Sequence, residues 1–157
     1  MQTGSTVKDV LTTVDVLNDL VEINNDRIAG YEKAMKELKD EDDDLRTVFN
    51  QMISESLRAK QELVEEVVAL GGEVRTGTTN SEKIYRAWMD VRATFSGHDR
   101  YSVLANCEAG EDALQKAYRT ALESDEIPSQ LEQAVRTQQQ TLRRSHDKIK
   151  ALRDASK

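Results

Sequence analysis

Histidine and cysteine, which most transition-metal sites and nucleophilic active sites use, are scarce in this sequence. The chain has 2 histidines and 1 cysteine. Glu108, Glu111 and His146 all lie within a few positions of an apolar seam, so helices could bring them together. Carboxylate oxygens with an imidazole nitrogen suit transition metals such as iron or manganese. These three residues are the candidate ligands of an irregular metal site, which is one of two hypotheses for this region.

The other hypothesis is a polar core without metal. Asn24, Tyr31, Glu111 and Tyr118 occupy positions where apolar neighbours face the interior. A buried carboxylate is unfavourable unless it is paired or hydrogen-bonded, so Glu111 needs a partner such as Tyr31, Asn24 or a water molecule. The two tyrosines could be redox-active, but core aromatics whose hydroxyls satisfy the same polar patch are the commoner case. We interpret the four residues as a polar core.

The elements that position these residues are four long helices. Apolar residues recur at alternating intervals of three and four, which is typical of helices packed along one seam. The predicted helices cover about residues 6–38, 44–70, 99–124 and 128–154. Gly71 and Gly72 suit a C-terminal cap, and Pro128 suits the first position of the last helix. No segment has the pattern of a strand.

A shorter helix is predicted at about residues 81–95, in the connection between the second and third long helices. Trp88 and Phe95 lie on one face of this helix. They would either seal it against the bundle or form part of a dimer face. A connection of this length allows the chain to travel back along the bundle before the third long helix begins.

An internal repeat relates the two halves of the chain. A shift of about 87 residues aligns Asn24 with Glu111 and Tyr31 with Tyr118. Two helical hairpins joined by a long crossover make the ferritin-like plan. We therefore predict an all-α, ferritin-like antiparallel four-helix bundle, with the additional crossover helix, as a single domain over residues 1–157.

The di-metal centre of such bundles requires a Glu from each of two helices and a Glu-x-x-His pair from each of the other two. No Glu-x-x-His occurs in the sequence. Of the side chains at the corresponding seam positions, only Glu111 is a strong ligand; the seam positions are Asn24, Ser56, Ala59, Glu111, Leu142 and Ser145. We therefore expect no metal and no other cofactor in the centre of the bundle.

Five segments carry a resemblance to a known family. They are residues 26–31 (DRIAGY), 70–72 (LGG), 86–88 (RAW), 107–112 (CEAGED) and 146–154 (HDKIKALRD). With these segments the chain resembles an uncharacterised bacterial family of ferritin-like four-helix-bundle proteins, known as a domain of unknown function. The resemblance covers nearly the whole chain and implies the fold. It implies no activity, because iron chemistry does not follow from a fold.

Charge and composition exclude several classes of partner. The 157 residues carry 22 Lys+Arg against 29 Asp+Glu, a formal net charge of -7. An acidic chain repels phosphate, so we expect no nucleic-acid partner, and its short apolar runs predict no membrane span. A single cysteine and no signal-peptide pattern favour a cytoplasmic location. The basic last helix could pair with acidic faces of a second copy, so a homo-oligomer is one expected arrangement.

These observations favour a non-enzymatic structural or interaction protein with a degenerate, metal-free site. A stress-related role is suggested only by association with the family. The first alternative is a metal-binding oxidase or storage protein with ligands Glu108, Glu111 and His146. The second is a small-molecule binder that uses the polar core around Asn24, Tyr31 and Tyr118.

Overall fold

The computed structural model describes residues 7–75 and 99–157. In order along the chain they form α1 (Val7–Lys36), a short 3₁₀ turn (Asp40–Asp42), α2 (Asp44–Ala69), α3 (Arg100–Glu123) and α4 (Ser129–Ala155). The all-α prediction is confirmed for these residues, which contain no strand, and each long helix ends within two residues of its expected limits. The predicted helix at 81–95, with Trp88 and Phe95, lies outside the described residues.

The buried residues of the helices follow the predicted seam. In α2 they are Leu45, Phe49, Met52, Ser56, Ala59, Leu63 and Val67. In α4 they are Val135, Gln138, Leu142, Ser145 and Ile149. Because the spacing alternates between three and four residues, each set forms one stripe along its helix. The stripes meet in a single core.

α1 buries a wider face than its seam alone predicts. Leu20, Ile23 and Arg27 are all at most 1% exposed, although they lie beside the predicted seam. α1 packs against both α2 and α3, so two stripes of the same helix are covered. A charged residue at position 27 is thereby placed in the interior.

The end of α2 is fixed by two glycines, as the sequence suggested. The amide of Gly71 donates to the carbonyl of Val68, and the amide of Gly72 donates to the carbonyl of Val67. Gly71 has a φ of 79°, a left-handed conformation that a side chain disfavours. These features make a Schellman cap, which satisfies the last carbonyls of the helix.

Neighbouring helices of the bundle run antiparallel. α1 packs against α2 and α3, while α4 packs against α3 and, more sparsely, against α2. Along the α1–α3 contact, Asn24 meets Tyr118 and Arg27 meets Glu111. The numbers rise on one helix as they fall on the other, so α1 and α3 are antiparallel. Since α2 is also antiparallel to α1, α2 and α3 point in the same direction.

The C-terminal end of α2 and the N-terminal end of α3 lie at opposite ends of the bundle. After α2, Arg75 forms ion pairs with Asp15 and Asp19 in the first half of α1. At the other end, Arg100 at the start of α3 pairs with Asp42 and Asp44. In the described part of the chain, no helix has the length and apolar character needed to cross a membrane.

Candidate functional site

Glu111 is a fully buried carboxylate in the middle of the bundle, and α1 supplies two donors to it. Its Oε2 accepts a hydrogen bond from Arg27 Nε at 2.8 Å. The same oxygen accepts a hydrogen bond from the hydroxyl of Tyr31. Arg27 and Tyr31 are four residues apart, so their side chains lie on one face of α1. The interior therefore contains an ion pair between α1 and α3.

The guanidinium of Arg27 joins α2 to this pair. Its NH1 donates to Ser56 Oγ and to the carbonyl oxygen of Met52, both at 3.1 Å. Its NH2 lies 3.4 Å from Glu55 Oε1, which also accepts from Ser145 Oγ of α4 at 2.5 Å. All three guanidinium nitrogens thus face acceptors. We call this group the charged centre; its members are Arg27, Tyr31, Glu55, Ser56, Glu111 and Ser145.

Burial and charge shift the pKa values in the charged centre. Burial by itself lowers the pKa of Arg27, but the charge and hydrogen bond of Glu111, together with Tyr31 and Glu55, outweigh it, and the pKa lies above its usual value. Burial, followed by the charge of Glu111, raises the pKa of Tyr31. Burial and Glu111 likewise raise the pKa of the neighbouring Cys107 thiol. A thiol with a raised pKa supplies no thiolate nucleophile near neutral pH.

A second group, made of uncharged polar side chains, also lies in the bundle interior. On α3 it is about two turns beyond Glu111. Asn24 Nδ2 donates to the hydroxyl oxygen of Tyr118 at 3.0 Å, and that hydroxyl donates to Gln138 Oε1 at 2.8 Å. Gln138 Nε2 in turn donates to Glu62 Oε1 at 2.8 Å and to the carbonyl of Ala59. We call Asn24, Tyr118 and Gln138 the neutral centre. It also joins all four helices.

The two centres are related by the internal repeat. Position 24 aligns with 111 and position 31 with 118. Each tyrosine hydroxyl bonds to a residue in the other half of the repeat. Tyr31 of α1 bonds to Glu111 of α3, and Tyr118 of α3 bonds to Asn24 of α1. In both aligned residues one oxygen, Asn24 Oδ1 and Glu111 Oε1, has no hydrogen-bond partner among the described residues. The pattern is a crossed pair between antiparallel helices.

A third group lies nearer the surface, between α3 and α4. His146 Nε2 is 2.6 Å from Asp112 Oδ1 and 3.9 Å from Glu108 Oε1. One ligand atom from each of the three residues lies within 4.8 Å of the others. We call Glu108, Asp112 and His146 the outer cluster. Glu108 and His146 are half-buried, whereas Asp112 is exposed.

Neighbouring charges orient the outer cluster. Asp147 Oδ1 lies 3.0 Å from His146 Nδ1, which leaves Nε2 facing the two carboxylates. Arg153 NH1 holds the second oxygen of Glu108 at 3.1 Å. Burial lowers the pKa of His146, but hydrogen bonds to Asp147 and Asp112 and the charges of Asp112 and Glu111 raise it above its usual value.

The structure places the sequence candidates in two different environments. Asn24, Tyr31, Glu111 and Tyr118 are buried, but Glu111 contacts Tyr31 and not Asn24. The alternative ligand set of Glu108, Glu111 and His146 is not brought together as a set. Glu111 points to Arg27 in the interior, and Asp112 takes its place beside His146. This difference between Glu111 and Asp112 follows from helix geometry, because consecutive residues point about 100° apart around the helix axis.

The candidate residues from the sequence did not include four members of these groups: Arg27, Glu55, Asp112 and Gln138. Gln138 was visible as a polar residue on the seam of the last helix. Arg27 had only a weak signal: it lies within the resemblance segment 26–31, one residue away from the apolar Ile28. A lone arginine beside an apolar stripe is usually exposed, and here a partner carboxylate from α3 makes its burial favourable.

The residues of the bundle centre do not fit a di-metal site. Such a site needs several carboxylates and two histidines that face inward. Here Asn24, Ala59 and Leu142 occupy three of the corresponding seam positions, and all three are buried. The remaining carboxylate, Glu111, already neutralises the guanidinium of Arg27 at 2.8 Å. A fixed cation at this place opposes a second cation.

Over residues 7–75 and 99–157, fold and site together define an all-α bundle of four long helices with a hydrogen-bonded, ion-paired interior. The chain belongs to the family described as a domain of unknown function, DUF2383, whose model matches residues 12–124. The match includes α2, α3 and nearly all of α1, and it ends before α4. Arg27, Tyr31 and Glu111 therefore lie inside the matched region, whereas Gln138 and His146 lie beyond it. No curated protein matches the chain significantly.

Proposed function

We propose that this chain is a non-enzymatic structural or interaction protein of ferritin-like plan, with a degenerate and metal-free centre. The observation that carries the proposal is the buried contact between Arg27 and Glu111 at 2.8 Å. The guanidinium supplies, from within the chain, the positive charge that a metal ion would otherwise supply to the carboxylate. Cys107, the one thiol beside this centre, is buried with a raised pKa, which gives no sign of nucleophilic chemistry.

The helix directions support the ferritin-like part of the proposal. α1 and α2 are antiparallel, α3 and α4 are antiparallel, and α2 and α3 point the same way. In four-helix bundles this up-down-down-up order requires one long crossover connection, which is the ferritin-like arrangement. The resemblance to bacterial ferritin-like proteins supports the same conclusion.

Iron oxidation tests the metal-free centre. The full chain, purified without chelators or a histidine tag, is mixed with Fe²⁺ in air, beside a Glu111→Gln variant. We expect both proteins to oxidise iron no faster than buffer alone. An oxidation rate that is above buffer in the wild type and abolished by Glu111→Gln would overturn the proposal.

An interaction role is supported by the charge distribution. From Pro128 to the end the chain has seven Lys/Arg against three Asp/Glu, although its overall charge is -7. Arg143 and Arg144 of α4 are exposed. Such a basic face on an acidic protein is complementary to the acidic faces of a second copy.

Sedimentation at two salt concentrations tests the proposed association between copies of the chain. We expect self-association at low salt that weakens at high salt, and that is lost when Arg143 and Arg144 are both changed to Glu. Changing the exposed Glu132 and Asp154 of the same helix to Lys is the matched control, and it should strengthen association. A monomer at every concentration and salt level would remove the homo-oligomer from the proposal.

The small-molecule alternative receives little support from the cavities. Two clefts reach Gln138. One lies between α2 and α4, has a volume of about 120 Å³ and is lined in part by Glu55 and Leu142. The other has a volume of about 170 Å³ and is lined in part by Leu17 and Glu62. Ligand pockets for drug-sized molecules are usually about 300–1,000 Å³. Each of these two clefts is large enough only for a few solvent molecules, so we do not prefer this function.

A further inference from the structure

We propose that the outer cluster, formed by Glu108, Asp112 and His146, is a binding site for a single divalent transition-metal ion of the Zn²⁺ type. The site is separate from the bundle centre and independent of the function proposed above. Glu108 and Asp112 lie one turn apart on α3, and His146 faces them from α4. An ion bound there would hold α3 and α4 together at the surface.

The distances suit a small ion. Zinc binds carboxylate oxygen and imidazole nitrogen at about 2.0–2.2 Å, so donors around a tetrahedral ion stand roughly 3.4 Å apart. The observed separations from His146 Nε2 are 2.6 Å to Asp112 Oδ1 and 3.9 Å to Glu108 Oε1. Side-chain adjustments of about 1 Å would bring the three donors to the required spacing, because Asp112 is exposed and free to rotate. Solvent would supply the fourth ligand.

The mixed donor set distinguishes the outer cluster from a patch of acidic residues. One imidazole and two carboxylates suit zinc, manganese and iron better than the oxygen-only ligands that calcium prefers. Asp147 at Nδ1 completes the carboxylate–histidine–metal arrangement that orients metal-bound imidazoles. Arg153 holds only the far oxygen of Glu108, so Oε1 remains directed at His146.

A separate observation on the inner side of the cluster concerns a buried carboxylate oxygen. Glu111 precedes Asp112 in α3, is fully buried, and has one oxygen, Oε1, without a hydrogen-bond partner among the described residues. Its charge acts on His146 as well as on Arg27. A cation in the outer cluster would be attracted by the carboxylates of Glu108 and Asp112, against the opposing charge of Arg153, while the charge of Glu111 is offset by Arg27.

Titration with Zn²⁺ tests the site. The full chain without a histidine tag is titrated calorimetrically, and Co²⁺ absorption reports the coordination geometry. We expect one ion per chain and at least about tenfold weaker binding in His146→Ala and in Asp112→Asn. Binding should also weaken from about pH 7.5 to about pH 5.5, because a proton competes for the imidazole.

Two control variants keep the test specific. His98→Ala removes the other histidine of the chain, and Glu132→Gln removes an exposed carboxylate of α4; both should bind Zn²⁺ as the wild type does. The ion should also raise the melting temperature of the wild type and not that of His146→Ala.

Three outcomes would overturn the proposal. The first is the absence of binding at millimolar Zn²⁺, and the second is binding that His146→Ala does not change. The third is binding that is lost in Glu111→Gln and kept in Asp112→Asn, which would put the ion in the charged centre. Only this last result would also contradict the metal-free centre, so the two proposals can fail separately.

Discussion

The charged centre and the neutral centre occupy equivalent places in the two halves of the repeat, yet they solve the problem of a buried polar group differently. In the charged centre a carboxylate, Glu111, meets a tyrosine and a guanidinium. In the neutral centre an amide, Asn24, donates to the hydroxyl of Tyr118, which in turn donates to a second amide, Gln138. A buried amide needs only hydrogen bonds, whereas a buried carboxylate needs a counter-charge as well. Arg27 is the residue that makes the first arrangement tolerable.

The comparison explains why the arginine occurs in one half only. The repeat aligns Arg27 with Leu114, which is buried and apolar. Since Asn24 carries no charge, a cation near it would itself be unpaired. Within the charged centre, the two fully buried charges are therefore matched, one against one, between Arg27 and Glu111.

The largest predicted effect comes from removing the cation alone. Arg27→Met leaves the Glu111 carboxylate buried without its counter-charge, and we expect a loss of about 3–5 kcal/mol in the free energy of unfolding. Urea denaturation followed by circular dichroism measures this loss. If the variant does not fold, Arg27→Lys offers a milder probe, because lysine keeps the charge but not the forked geometry.

The double variant Arg27→Met with Glu111→Gln is the decisive partner of this experiment. It converts the charged centre into a near copy of the neutral one, and we expect it to recover at least half of the lost stability. Replacing a whole buried ion pair is often nearly neutral. A double variant that is less stable than either single variant would contradict the comparison.

The next effect comes from adding a charge to the neutral centre. Asn24→Asp places a carboxylate where an amide now donates to Tyr118 and to the carbonyl of Leu20. We expect a loss of about 2–3 kcal/mol at neutral pH. Burial raises the pKa of such a group in the folded state, so stability should fall as the pH rises above about 4.

A pH series on wild type and Asn24→Asp measures the difference between the two unfolding free energies. The difference should be smallest near about pH 4 and should grow toward neutral pH. A difference that stays constant over this range would show that the introduced carboxyl is solvated or paired, contrary to the expected uncharged surroundings.

Removing a tyrosine hydroxyl should lower stability by a smaller amount, and the same change can be made in both centres. Tyr118→Phe leaves Gln138 Oε1 without its donor, and we expect a loss of about 1–2 kcal/mol. Tyr31→Phe should have a similar or smaller effect, since Glu111 keeps its bond to Arg27. Thermal unfolding of the two variants gives the comparison. A loss from Tyr31→Phe that exceeds the loss from Arg27→Met would show that the hydroxyl, not the guanidinium, sustains Glu111.

The smallest expected loss of stability comes from breaking an arginine–glutamate ion pair at the surface. Arg136 NH2 lies 2.6 Å from Glu132 Oε1 on α4, and both side chains are at least 40% exposed. Arg136→Met should lower stability by no more than about 0.5 kcal/mol. A loss close to that of Arg27→Met would mean that burial is not what distinguishes the two arginines.

Much of the fold could be predicted because the seam is regular. The intervals of three and four residues placed Phe49, Met52 and Leu63 in the interior, and all three are at most 2% exposed. Gly71 marked the end of α2 because only glycine readily adopts the left-handed cap. The relative order of the helices was not readable from any one segment, because it depends on which faces meet.

The candidate site was predictable only in part, because its contacts also depend on which helix faces meet. Asn24 and Glu111 interrupt an apolar pattern and so were visible as interior polar residues. Arg27 and Asp112 each lie one position from a seam residue, and periodicity treats charged residues there as exposed. Whether Arg27 turns inward depends on a carboxylate in another helix, 84 positions away along the chain. Sequence spacing within α1 contains no information about that partner.

The single thiol of the chain allows the local opening of the bundle to be measured. Cys107 is 2% exposed, so a thiol reagent can label it only when α3 separates from its neighbours. The labelling rate in the native protein therefore measures the free energy of that opening. It does so for the helix that carries both the interior carboxylate and two residues of the outer cluster, without any engineered probe.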